Sequence, residues 1–314
     1  MKRFHKLIGI VLSLTMITLI SGCGGSSSST PSANVETGVL SLYITDAKPR
    51  LAEEIPTAVN IRIIAIEYGH DDGWTEVEGF DPLTINLMDW RDGRAIRLGD
   101  FELPVGSYKE IRFKLDIAEK DGDVKSNLDC NITFKSAPTV PLFVPSGETS
   151  GYKGKGEFDI TTKAPVAVVA DWDVGRAIVV TGNGKHILHP VIQLSVIELS
   201  GEINGTVVDV TEVEEYGQAD DALVVYAYED GIYADAEAVI AGDEVRFPKA
   251  FSSSDVNMTD GNFTFYFLGE GNYTLVTAHY EDDIFIDVVD REDDVEVFKN
   301  ETTFVELNTS VDTP

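Results

Sequence analysis

From about residue 37 to the end of the chain, apolar and polar side chains alternate in short runs closed by Gly, Asp, Asn or Pro, and no run keeps a helical period over ten residues. A period of two predicts half-buried strands. Such runs cover Val39 to Thr45, Val59 to Tyr68, Ile111 to Ile117, Ala164 to Asp173 and Ala177 to Thr181. They recur at Glu202 to Val210, Ala222 to Tyr228, Asn262 to Leu268, Tyr273 to Tyr280, Ile284 to Val289 and Thr302 to Asn308. Gly182-Asn183-Gly184 between two β-branched runs predicts a hairpin, because Asn-Gly takes the positive φ angles of a tight turn. Phe263, Phe265 and Phe267 fall on one face of their strand, with Thr264 and Tyr266 on the other. The fold class expected is all-β, with two β-sandwich-type domains, the second of about seven strands.

The first 36 residues break this pattern. Lys2, Arg3 and Lys6 precede an apolar run from Leu7 to Ile20, the layout of an export signal and short for a membrane span. Leu19-Ile20-Ser21-Gly22-Cys23 resembles the lipobox of bacterial lipoproteins, in which the cysteine is acylated and becomes the new N-terminus. The resemblance implies that Cys23 is a lipidation site and that the chain is held at the cell envelope. Gly24, where an Asp would retain a lipoprotein at the inner membrane, favours the outer membrane. The segment from Gly24 to Val35, GGSSSSTPSANV, has almost no apolar side chain to offset its ordering and reads as a flexible tether. Cys130 is then the one cysteine left, so no intramolecular disulfide can form, and it reads as a small structural residue.

Charge divides the remainder. Residues 199–314 carry 28 acidic against 4 basic side chains, a net of −24 out of −30 for the whole chain. The predicted organisation is therefore a signal peptide at 1–22, a lipidated cysteine and tether at 23–36, a β domain at 37–198 and an acidic β-sandwich at 199–314. Such a charge repels nucleic acid and anionic headgroups, which excludes polyanion binding by the C-terminal part.

Four strings resemble landmarks of a bacterial lipoprotein domain, domain-of-unknown-function family 4382. They are Leu40-Ser41-Leu42-Tyr43-Ile44-Thr45-Asp46-Ala47, Leu103-Pro104-Val105-Gly106-Ser107-Tyr108, Val144-Pro145-Ser146-Gly147-Glu148 and the run from Val179 to Ile192, VVTGNGKHILHPVI. The resemblance spans about Gly38 to Val196 and implies an envelope lipoprotein without assigning an activity. The second half is similar to carboxypeptidase-regulatory or prealbumin-like sandwich modules, through the opening Gly201-Glu202-Ile203-Asn204-Gly205-Thr206-Val207 and the turn Leu268-Gly269-Glu270-Gly271-Asn272-Tyr273. Modules of that type serve as stalks or binding accessories.

Candidate chemistry is sparse. His186 and His189 lie three apart, and on a strand such residues point to opposite faces, so they do not grip one metal ion. Ser150-Gly151-Tyr152-Lys153 has the Ser-x-x-Lys spacing of penicillin-binding enzymes, but it falls in a Gly-rich loop without the companion motifs. Gly182-Asn183-Gly184-Lys185 lacks the upstream glycine and following hydroxyl of a phosphate loop. The clusters Asp71-Asp72, Asp220-Asp221, Glu281-Asp282-Asp283 and Glu292-Asp293-Asp294 offer oxygen ligands for Ca²⁺ without calcium-loop spacing, and read equally as solvated guards of edge strands. No cofactor is otherwise expected. Arg91, Arg94 and Arg97 in one loop with Lys153 and Lys155 in another would form a cationic patch if the loops met, or pair with Asp89, Asp92 and Asp100. Trp74, Trp90 and Tyr152 are candidates for stacking on sugar rings, or for the core.

Three functions follow. The first is a non-enzymatic, membrane-anchored envelope lipoprotein that binds a protein or glycan ligand as an adhesion or accessory module. The second is a structural component of a cell-surface assembly through β-edge pairing. The third is a glycan or ester hydrolase with a scattered carboxylate site.

Overall fold

The alternation in the first strand is literal: Leu40, Leu42 and Ile44 are fully buried, while the residues between them are partly exposed. The structure, a computed structural model, describes residues 35–46, 56–70, 73–116, 129–136, 138–144, 150–208, 210, 221–239, 245–281 and 284–308. Cys23, the expected signal and most of the expected tether lie outside them. Val35–Pro314 forms one compact unit.

The N-terminal strands are β1 (Thr37–Thr45), β2 (Ala58–His70), β3 (Gly73–Glu76), β4 (Leu83–Asn86), β5 (Ile96–Pro104), β6 (Gly106–Leu115), β7 (Asn131–Thr133), β8 (Val140–Phe143), β9 (Tyr152–Ile160), β10 (Val166–Trp172), β11 (Ile178–Val180), β12 (His186–Leu188) and β13 (Ile192–Val196). A single helical turn, α1 (Val174–Ala177), stands between β10 and β11. The C-terminal strands are β14 (Ser200–Val208), β15 (Asp221–Glu229), β16 (Ser252–Asp255), β17 (Asn262–Gly269), β18 (Gly271–Glu281), β19 (Ile284–Val297) and β20 (Thr302–Asn308). The fold is all-β, as the alternation requires.

β1 to β13 make one 13-stranded sheet whose main path runs β11-β12-β8-β7-β2-β6-β9-β13-β10-β1-β5, with β3 and β4 also paired to β2. The sheet covers one core, in which Phe113 of β6 and Tyr152 of β9 both contact the ring of Trp172 on β10. The next seven strands make two sheets, β17-β14-β20 and β16-β15-β18-β19, packed across a second core. The 3-10 turn Ile197–Leu199 joins the two bodies.

Where the alternation slips, a bulge accounts for it. In β2 the buried series Val59, Ile61, Ile63 continues as Ile66 and Tyr68, and Ile64 turns out at 42% exposure. The pairing with β6 shifts register between Ile63 and Ala65, which resets the face. β17 corrects the expectation for Phe267. Phe263 and Phe265 are buried, but Phe267 has φ +57 and Leu268 takes its place in the core. The hairpin between β11 and β12 forms as predicted, with Gly184 rather than Asn183 supplying the positive φ. Gly184 N–H donates to Thr181 O and Thr181 N–H to Lys185 O, a three-residue loop with a left-handed glycine at its end.

Both bodies turn into a long strand by the same device. Tyr108 Oη donates to Pro104 O at 2.6 Å, and Tyr273 Oη donates to Gly269 O at 2.9 Å, each four residues back. These tyrosine corners tie a strand to the turn that feeds it. In the C-terminal body Phe263 lies over Gly205, its direct partner in the β14-β17 ladder. A Cβ on Gly205 would stand 2.0 Å from Phe263 Cζ. Gly205→Ala is expected to destabilise the protein by about 1–3 kcal/mol through overpacking, read from chemical denaturation. An unchanged midpoint would mean that the buried ring can move aside freely.

Candidate functional site at the junction of the sheets

The turn Asp173-Val174-Gly175-Arg176 places two opposite charges where neither meets water. Asp173 caps α1, accepting from Arg176 N–H at 3.0 Å, and its other oxygen accepts from Arg176 Nε at 2.7 Å. The two residues are 1% and 6% exposed. Arg176 then reaches into the C-terminal body. Its Nη1 donates to Phe247 O at 3.1 Å and Ala250 O at 2.7 Å, and its Nη2 donates to Phe251 O at 3.4 Å. Those carbonyls belong to a segment that covers the outer face of β15 and β18, where Tyr226, Tyr228, Val276 and Ala278 are buried. Ser253 Oγ donates to Asp173 at 2.7 Å and Ser252 Oγ to Asp171 at 3.0 Å. A planar guanidinium with five fixed donors suits such convergence of a carboxylate and carbonyls.

Beside this clamp, the end of β1 is tied to the loop after the 3-10 turn Leu87–Asp89. Thr45 Oγ1 donates to a backbone carbonyl there, Trp90 O at 3.1 Å or Arg94 O at 2.9 Å, and Asp46 N–H donates to Trp90 O at 2.8 Å. In Arg91-Asp92-Gly93-Arg94 both central residues have positive φ, and Arg94 N–H closes the turn on Arg91 O. Gly93 is required there twice over, since a Cβ would also meet the Tyr266 ring at 2.9 Å. The turn thus lies against β17.

Between these elements lies a cavity of about 260 Å³. One wall is Thr45, Asp46, Asp92, Gly93 and Asp171; the other comes from β16, β17 and the turn joining them, including Ser252 to Asp255, Asn257, Asn262 and Tyr266. Asp46 is 4% exposed. Its Oδ1 accepts from Val174 N–H at 3.0 Å, whereas its Oδ2 is buried with no hydrogen-bond partner. Burial pushes the Asp46 carboxyl well above the usual range, and repulsion from Asp171 and Asp173 adds to this against Val174 N–H and Arg91.

Residues 37–190 match the family model described as a domain of unknown function, DUF4382. No curated protein matches the chain. Solved structures with a detectable likeness include the Bacillus anthracis TIE protein, at 13% identity and TM-score 0.17, over 86% of this chain and 34% of that one. This chain spans about a third of that protein's length. Others are the minor pilin GBS52 of Streptococcus agalactiae, at 13% identity and TM-score 0.21 over 88% and 98% of the two chains, and a single-site mutant of the shaft pilin SpaA from Lactobacillus rhamnosus GG, at 11% and 0.21 over 89% and 100%. Likenesses of that size carry no functional argument.

The matched segment supplies Asp46, Asp171, Asp173 and Arg176, none of which the sequence marks as a site. The residues it had singled out are dispersed. Arg97 lies in β5 and pairs with Asp100, while Arg91 Nε and Arg94 Nε donate to the carbonyls of Met88 and Arg91. Lys153 and Lys155 lie in β9 rather than in a loop, as does Tyr152 of the Ser-x-x-Lys string. Arg112 and Lys153 sit over the Trp74 ring at 4.3 and 5.0 Å, so the arginines and lysines do not make one patch, and the Arg97–Asp100 pair follows the alternative of local pairing. Tyr152 is a core residue: it stacks on Trp172, and its hydroxyl donates to Leu188 O. Trp90 packs partly buried against the same core. Cys130 is fully buried, its Sγ accepting from Arg62 N–H at 3.4 Å.

His186 lies beside the Phe134 ring, and His189 N–H donates to Ala177 O. Among the described residues no three His, Cys, Asp or Glu side chains converge to hold a metal. Of the acidic clusters, Asp71-Asp72, Asp220, Asp282 and Asp283 lie outside the described residues. Asp293 of the last cluster accepts from Thr274 and pairs with Arg291, contacts that hold its carboxyl below the usual range.

Two outcomes follow for the junction. Arg176→Met leaves Asp173 buried without its cation and three carbonyls without their donor, so a loss of about 3–5 kcal/mol is expected by thermal or denaturant unfolding, with faster proteolysis near 245–251. A melt like that of the parent would refute the clamp. Asp46→Asn keeps an acceptor for Val174 N–H and removes the desolvated charge. Because the folded protein holds the Asp46 proton more tightly than the unfolded chain, the parent loses stability as pH rises from the ordinary carboxylate range through the raised value. The variant should therefore melt about 2 °C or more higher at pH 7, with the gain vanishing toward pH 4. A gain independent of pH would exclude charge as its cause.

Proposed function

We propose that the chain is a non-enzymatic envelope lipoprotein, anchored through an acyl group on Cys23 at the outer membrane, which acts as a binding or adhesion-accessory module for a glycan or protein ligand. The observation that carries this reading is the junction cavity, a concave polar site whose two walls come from different bodies and are held in register by the buried Arg176. Preformed pockets with a few convergent polar groups are where small groups of a ligand are recognised. The C-terminal body is read as a carboxypeptidase-regulatory-like sandwich, supported by its seven strands in two sheets and by the Tyr273 corner. In that role it contributes one wall of the site as well as length.

A second reading, assembly by β-edge pairing, is favoured by one observation: β20 is an edge strand of its sheet, and it carries Phe304 at 79% exposure. Affinity capture of the lipidated chain from its native membrane, with mass spectrometry of retained protein and glycan, tests the first reading. A ligand that is retained by the parent and lost when the cavity is altered supports it. Filaments or ladders of the pure chain, abolished by Phe304→Lys, would support the second instead. Cys23→Ser is expected to move the protein from the membrane fraction to the soluble one, and continued retention would contradict the anchor.

A further inference from the structure

The deepest wall of the junction cavity gathers carboxylate charge. Asp46 and Asp171 both line the cavity, and Asp171 adds to the cost of ionising Asp46. Asp173, just behind them, is already engaged by Arg176 and Ser253. Asp46 lines the cavity, and its Oδ2 is buried without a hydrogen-bond partner. Asp92 and Asp255 stand on opposite walls.

The other polar groups present mainly acceptors. Ser252 and Ser253 donate their protons outward to Asp171 and Asp173, which leaves hydroxyl lone pairs for a guest. Asn257 and Asn262 accept from Thr259 N–H and Thr206 Oγ1 through their oxygens, leaving their NH₂ groups as the donors of the site. A cavity of about 260 Å³ is far larger than a metal ion needs, and it approaches the size that takes a small organic group. An acceptor-rich lining that includes Asp46, Asp171 and Tyr266 fits a donor-rich cation.

Resting on the binding role proposed above, we infer that the junction cavity is a subsite for an amino sugar unit, with its ammonium group on Asp46 and Asp171 and its hydroxyls on the Ser252 to Ser254 edge. The strongly acidic C-terminal body would raise the local concentration of such a cation before it docks. Burial favours a protonated Asp46, so docking of an ammonium releases that proton. Among the described residues, the groups that face Asp46 are Asp171 and Asp173 from β10 and its turn, Arg91 from the loop after β4, and Arg176 behind Asp173, with Asp92 on the same wall and Asp255 across the cavity. Of these only Arg91 and Arg176 are cationic, and Arg176 is committed to Asp173 and the carbonyls.

The test is calorimetric titration of the full-length chain with glucosamine and its β-1,4 disaccharide, against glucose, N-acetylglucosamine, Nα-acetyl-lysine amide and CaCl₂. The amino sugar is expected to bind at least tenfold more tightly than the two neutral sugars, and more tightly as pH rises from 5 to 7. Asp46→Asn and Asp171→Asn should each weaken binding at least tenfold without lowering the melting temperature, and Phe304→Ala should leave it unchanged. Equal binding of neutral sugars, indifference to both Asp variants, or no heat at about 10 mM would overturn the inference. Preference for the lysine derivative or for Ca²⁺ at the same site would overturn it as well. If membrane capture still yields a ligand that Asp46→Asn does not release, the subsite fails and the broader binding role survives.

Discussion

The relation between the two bodies depends on one guanidinium. Arg176 leaves water almost completely, and in doing so gives up hydration worth several kcal/mol, so the pair with Asp173 is not by itself a reason for stability. Its effect is geometric. Four of its contacts have fixed directions, one to Asp173 and three to carbonyls about seventy residues away, and they are satisfied together in only one placement of the 247–251 segment. Those carbonyls would otherwise be stranded above the buried Tyr226 and Tyr228, where losing water without a partner costs about 1–3 kcal/mol each. The clamp therefore fixes position more than it adds strength.

The cavity is a consequence of that placement. Once Arg176 holds the 247–251 segment, β16 follows directly, and its serines come to rest on Asp171 and Asp173. Gly93 then meets Tyr266 on the far side, the contact that a side chain would forbid. Two rigid contacts with polar space between them leave a cleft, and neither body alone has both walls. Asp46 sits in it because the end of β1 is pinned by Thr45 and by its own N–H to the 90–94 loop.

Strand identity was legible in the sequence because alternation is local, and β1, β17 and β20 lie where it placed them. The phase errors came from bulges. Nothing in Val59 to Tyr68 marks Ile64 as the residue that turns out, since the register shift is fixed by pairing with β6, about fifty residues away. Short strands such as β16, Ser-Ser-Ser-Asp, have no apolar period and were invisible. The site was missed for a related reason. Asp46 and Asp171 are 125 residues apart and meet only because β1 pairs in parallel with β10, bringing Thr45 opposite Asp171. Arg176 looked like one of many surface cations. Its only signal was the string Asp173-Val174-Gly175-Arg176, an N-cap spacing with a basic residue at its third position, in a chain otherwise without helical periodicity after the signal.

Asp46 is where local rules and global fold disagree most. Asn at that position would satisfy Val174 N–H equally and would not set a third carboxylate beside Asp171 and Asp173. Its neighbours have charge or hydroxyl partners: Asp173 is engaged by Arg176 and Ser253, and Asp171 accepts from Ser252. A carboxyl buried in this way beside a cavity places strain where a guest can relieve it. Relief by a guest cation makes binding and stability two readings of the same charge. A guest at the junction would hold the two bodies together more firmly.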